Sequence, residues 1–141
     1  MSKSYISKKL RIIVEKRANR CCEYCKSQAN FSPSPFNVEH IIPESKDGTT
    51  LLKNLAFACA GCNSYKYTKT SVYDAISQKV VSLFHPRTPK WEEHFKWSKD
   101  FLKIIALTPI GRVTANTLKI NRDEVVNLRK VLFAFGEHPP K

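Results

Sequence analysis

Four of the five cysteines come as two C-x-x-C pairs, Cys22/Cys25 and Cys59/Cys62, and between the pairs stands the dipeptide Glu39-His40. Four thiolates fill the tetrahedral shell of a Zn²⁺ ion and leave no position for water or substrate, so a metal held there is structural. The chemistry then has to come from Glu39, His40 and Asn63, the last standing directly after Cys62. An imidazole has an unperturbed pKa of ~6.5 and can take a proton from water at neutral pH. Glu39 and Asn63 offer oxygen ligands, which suit Mg²⁺ or Mn²⁺ and leave coordination sites for phosphate oxygens and water. Such an ion would polarise a phosphoryl oxygen and stabilise the leaving oxygen. The leftover Cys21 could substitute for Cys22 through a C-x-x-x-C spacing with Cys25. The two-residue spacing matches the second pair, so Cys21 is expected to take no part.

The elements that must position these residues are short. Asn37 to Ile42 has the β-branched and apolar content of a strand closed by Pro43, and Leu55 to Ala58 makes a returning strand. A period of two would place Glu39 and His40 on opposite faces, so a bend near His40 is implied if both serve one site. Glu44 to Thr50 is rich in turn residues, and a helix is expected from about Asn63 to Lys69. Upstream, Ile6, Leu10, Ile13, Val14 and Ala18 lie on one face of a helix that should pack on the zinc module, with Lys8, Lys9 and Arg11 off that stripe.

At 141 residues and 42% hydrophobic content, the chain suits one globular domain. The net charge of +12 is uneven. Residues 1–36 carry eight Lys/Arg against two acids, residues 37–70 four against three, and residues 71–141 twelve against seven. A basic rim around a site that keeps its own acids suits a metal-dependent enzyme acting on a polyanion. The first seventeen residues hold no apolar run of signal-peptide length, and no stretch near ~20 apolar residues occurs. A reducing cytoplasm is therefore expected, where paired cysteines bind metal and do not form disulfides.

The pattern CEYC, VEHIIP, NLAFAC and CxxCNxxK over residues 22–66 resembles the ββα-metal core of HNH endonucleases, in the subgroup with a four-cysteine zinc. The resemblance implies an α+β fold in which His40 is the general base, Glu39 and Asn63 hold the catalytic ion, and Asn54 orients the loop and the histidine. It also implies DNA as partner and hydrolysis leaving a 5′-phosphate and a 3′-hydroxyl. The sequence departs from the family name at its third letter, where Asn63 stands in place of His. Lys66, one turn beyond Asn63, could touch a phosphate or simply be a solvated lysine, as could Lys8, Lys9 and Arg11.

Beyond Lys69 the motifs are weaker, although LFHPRTPKWEEHFKW and LTPIGR also resemble the C-terminal part of bacterial stand-alone HNH proteins. Strands are expected over Val80 to Phe84 and Lys103 to Thr108, a turn over Pro109 to Gly111, and a short helix or strand over Thr114 to Ile120. A final helix should run from Asp123 to Phe135 with Val125, Leu128, Val131 and Leu132 inward. Arg87, His94, Arg112, Trp91 and Trp97 read as structural. The catalytic core spans about 20–70 and an α/β extension about 71–141, all in one domain. Two other functions fit the same residues: a non-catalytic zinc-knuckle nucleic-acid binder, and a zinc-stabilised protein-interaction module.

Overall fold

The computed structural model describes residues 5–88 and 90–141. Helix α1 (Lys8–Arg17) starts where the Ser7 hydroxyl accepts the Leu10 amide at 3.2 Å. Lys16 and Arg17 stand in its last turn, where cations meet the negative end of the helix dipole. Ile6 and Val14 bury against Leu55 and Phe57, and Leu10 and Ala18 pack alongside. Ile13, expected inward, is 37% exposed. Arg17 fastens the end of the helix by donating to the carbonyls of Leu52 and Leu55.

Strands β1 (Asn37–His40) and β2 (Leu55–Ala58) pair antiparallel, with Glu39 opposite Ala56 and His40 opposite Leu55. Strand β1 stops at His40, two residues earlier than its composition suggests, because the side chain of Asn54 takes over the ladder. Its Oδ1 accepts the Ile42 amide at 2.9 Å, and its Nδ2 donates to the carbonyls of Ile42 and Thr49. Gly48 is required in this loop, since a Cβ there would lie 1.6 Å from the Ile42 carbonyl oxygen. Helix α2 (Ala60–Lys66) starts three residues before the expected Asn63 and ends at Lys66, short of Lys69. The cause is Cys59, whose Sγ caps the helix by accepting the Cys62 amide at 3.4 Å.

The C-terminal half is two hairpins gathered around a helix. Strands β3 (Ser71–Asp74) and β4 (Lys79–Ser82) form the first hairpin, whose leading strand the sequence did not suggest. Helix α3 (Trp91–His94) leads into β5 (Phe95–Trp97), which pairs with β6 (Ile104–Ala106). Pro109–Gly111 is no turn: it opens helix α4 (Pro109–Leu118), with Thr108 accepting the Gly111 amide at 3.0 Å and Pro109 in the first turn, where its missing N–H costs nothing. Helix α4 packs on α2 and on both hairpins. Its Arg112 grips Asp74 through two bonds of 3.1 and 2.7 Å, which hold the Asp74 carboxyl well below the usual carboxylate range. Helix α5 (Asp123–Ala134) buries Val125, Arg129 and Leu132, while Val131, expected inward, is 54% exposed.

One apolar cluster contains the four paired cysteines together with Tyr24, Phe84, Trp91, Phe95, Ile104, Val113, Leu118 and Ile120. Arg87 pairs with Glu23, His94 meets Thr108, and the Trp91 indole donates to the Tyr24 carbonyl at 3.0 Å, so these residues serve packing. No helix among the described residues is long and apolar enough to cross a membrane.

Candidate active site and metal centre

Cys22, Cys25, Cys59 and Cys62 bring their sulfurs within 4.8 Å of one another, all four buried. A tetrahedral zinc with ~2.3 Å metal–sulfur bonds has a sulfur–sulfur edge of about 3.8 Å. The Cys25 and Cys59 sulfurs are 3.7 Å apart, so the donor set fits the ion by chemistry and by size. The first knuckle is anchored to β2 by Glu23, whose amide donates to the Phe57 carbonyl at 2.9 Å and whose carboxylate accepts the Phe57 amide at 2.8 Å. Cys21 is also buried, but its thiol turns to the Asn19 carbonyl and lies outside the cluster. Arg122 donates to the sulfurs of Cys59 and Cys62 at 3.3 and 3.7 Å.

Beside the metal centre a cleft of about 710 Å³ is bordered by Glu39, His40 and Asn63. Glu39 and His40 would lie on opposite faces of a regular strand, yet both border the cleft, which runs along all four residues of β1. Glu39 is 8% exposed. Its Oε1 accepts the Tyr24 hydroxyl at 2.6 Å and its Oε2 accepts the Lys66 ammonium at 3.4 Å. Burial raises the pKa of this carboxyl, with Lys66 and Tyr24 pulling the other way. His40 Nε2 meets the Thr50 hydroxyl at 2.9 Å, and Glu44 lies 4.0 Å from the same nitrogen. The Asn63 side-chain amide makes no hydrogen bond among the described residues, although its backbone carbonyl holds the Tyr67 amide at 3.0 Å.

Lys66 requires a correction. The ammonium expected to face phosphate is buried, the residue 1% exposed, and it donates to the Ile41 carbonyl at 2.8 Å as well as to Glu39. The Glu39 carboxylate and the Ile41 carbonyl draw it inward, which leaves phosphate contact to other cations. Lys8, Lys9 and Arg11 are exposed, and Arg11 borders the cleft. Two exposed aromatics, Tyr5 and Tyr67, border it as well. Tyr67 holds φ 49° and ψ −122°, a conformation in the left-handed half of backbone space that favours glycine.

Several of these residues were silent in the sequence. Tyr24 lies inside the first C-x-x-C pair, but nothing about that position announces a hydroxyl aimed at Glu39. Thr50 sits in a turn-rich loop with many hydroxyls, and Arg122 stands sixty residues past Cys62.

Two antiparallel strands and a helix, bracketed by a four-sulfur metal site and opening on a cleft with a histidine and two oxygen donors, define a ββα-metal protein. Residues 22–69 match the family model described as HNH endonuclease, so this segment is an HNH endonuclease domain. No curated protein and no solved structure matches the chain.

Proposed function

We propose that this protein is a metal-dependent endonuclease that hydrolyses DNA phosphodiester bonds, with the four-cysteine zinc purely structural. The observation that carries the proposal is that Glu39, His40 and Asn63, distant in role but close in the HNH segment, border one cleft. His40 is the general base. In the tautomer that donates Nε2–H to Thr50, Nδ1 is the lone-pair nitrogen and takes the proton from water as the water oxygen attacks phosphorus. Glu39 and Asn63 would hold Mg²⁺ or Mn²⁺, which supplies charge stabilisation at the phosphoryl and leaving oxygens. Tyr24 and Lys66 orient the Glu39 carboxylate and oppose the upward pull of burial on its pKa, and Asn54 fixes the loop that carries Thr50. The whole chain, residues 1–141, acts as one nuclease domain in a reducing compartment such as the cytoplasm.

The test is supercoiled plasmid with Mn²⁺. Relaxation or linearisation supports the enzyme. A shifted but uncut plasmid supports the non-catalytic binder, and neither shift nor cleavage at low salt supports the protein-interaction module.

The basic flank gives a separate expectation. Each phosphate neutralised adds ~0.9 to the slope of log K against log salt. Replacing Lys8, Lys9 and Arg11 together by Ala should flatten that slope by up to ~2.7 units without loss of zinc, because all three side chains are exposed. An unchanged slope with intact binding would move the DNA track to another basic surface, such as Lys96 and Lys99.

A further inference from the structure

A divalent ion held by four thiolates leaves two negative charges in a buried site, and buried charge must be paired. Two arginines, Arg129 fully buried and Arg122 half-buried, answer that need. Arg129 is 3% exposed and has no carboxylate partner among the described residues. Its guanidinium donates only to the carbonyls of Leu102, Cys25 and Ile120 and to the Asn121 amide oxygen. The Arg122 side chain is 10% exposed, and its one acidic neighbour, Glu124 at 3.3 Å, is largely in solvent. Arg122 reaches the Cys59 and Cys62 sulfurs with its two terminal nitrogens, and it donates to the Leu118 and Lys119 carbonyls at the end of α4. Its guanidinium also lies 5.9 Å from the centre of the Tyr65 ring, which belongs to the same helix as Cys62.

We propose that Arg122, backed by Arg129, is the counter-charge of the metal centre and, through N–H···S bonds to Cys59 and Cys62, fastens the C-terminal α4–α5 region to the zinc. Gly61 supplies an independent mark of the contact: a Cβ there would lie 2.4 Å from an Arg122 terminal nitrogen, so only glycine leaves the guanidinium its seat in the knuckle. Gly61 has no left-handed backbone that would demand glycine for another reason. Arg122 is a positioning residue and touches neither substrate nor the catalytic cleft. The assignment therefore holds whether or not the cleft cuts DNA.

The experiment uses the full chain and compares Arg122→Gln, Arg122→Lys and Gly61→Ala with wild type. Stoichiometric zinc in the wild type is read first; a wild type without it would overturn the metal centre and this proposal together. Zinc release to an excess of chelator should then be about tenfold faster in Arg122→Gln, the lower end of the effect of losing an outer-shell partner. Arg122→Lys should fall between the two, since it keeps the charge but not the two-pronged donor. In the Co²⁺-substituted proteins, hydrogen bonds lower the energy of the sulfur lone pairs, so losing them should move the thiolate-to-cobalt charge-transfer bands to longer wavelength in Arg122→Gln and Gly61→Ala. Should Arg122→Gln not fold, Arg122→Lys and Gly61→Ala still decide the matter. Faster release with unmoved bands would mean that Arg122 acts through packing alone, and would overturn the proposal, as would wild-type release rates in all three variants.

Discussion

His40→Ala protein should lose ~10² to 10⁴ in cleavage rate, the usual worth of a positioned general base, and should not recover when Mg²⁺ or Mn²⁺ is raised. The missing function is proton acceptance at a fixed nitrogen, which added metal cannot replace. Asn63→Ala should behave differently: it removes an oxygen ligand whose side chain has no other partner among the described residues, so the loss is in metal affinity and added ion should restore part of the rate. For Glu39 the substitution has to be chosen with its neighbours in mind. Glu39→Ala would strand the buried Lys66 ammonium, at a cost of about 3–5 kcal/mol for an uncompensated buried charge. That would confuse stability with metal binding. Glu39→Gln alone would also leave that ammonium without a counter-charge, so the cleaner test is Glu39→Gln combined with Lys66→Met, which removes both buried charges together and is expected to need more metal while retaining the fold. Rates measured across a metal titration decide the assignment. Rescue of His40→Ala together with no rescue of the other two would exchange the roles of base and ligand.

Cys59→Ser should lose its zinc and its cooperative thermal transition. Tetrathiolate zinc sites in small peptides contribute roughly 10 to 16 kcal/mol, as much as the whole net stability of many domains at about 5 to 15 kcal/mol. Serine could still cap α2 by accepting the Cys62 amide, so the helix start itself is not what fails. The failure is the metal, around which Leu118, Ile120 and Phe84 pack in the same cluster as the cysteines. Cys21→Ser is the matched control, since its thiol reaches only the Asn19 carbonyl, and it should keep both zinc and cooperative melting. Metal analysis and a melting curve on the two proteins check the prediction. Full zinc in Cys59→Ser, or none in Cys21→Ser, would reassign the ligands.

What could be read from the sequence was what depends on spacing. The two C-x-x-C pairs, the β1–β2 hairpin and the last helix each carry a local pattern, and each is found where that pattern places it. What could not be read depends on partners far along the chain. Lys66 has the surroundings of a surface lysine in sequence, and only the folded position of Glu39 and of the Ile41 carbonyl draws it inside. Arg129 interrupts the apolar face of α5 because its charge answers a site some hundred residues upstream. The β3–β4 hairpin turns without a glycine, Gln78 taking the positive φ, so the usual turn signal was absent. Pro109 and Gly111 looked like breakers, yet one occupies the first turn of α4 and the other is needed where the helix passes the His94 carbonyl, 2.3 Å from where a Cβ would stand.

Tyr67 sets heat resistance against orientation. Its backbone, at φ 49° and ψ −122°, costs on the order of 1–3 kcal/mol for a residue with a side chain. Its ring is 73% exposed at the cleft, so little burial offsets that cost. Glycine would relieve the strain and lift the melting temperature, by a few degrees for a domain of this size. A variant library sorted on thermal survival alone would therefore enrich Tyr67→Gly. The same sorting would strip from the mouth of the cleft the aromatic ring that the strained backbone holds there.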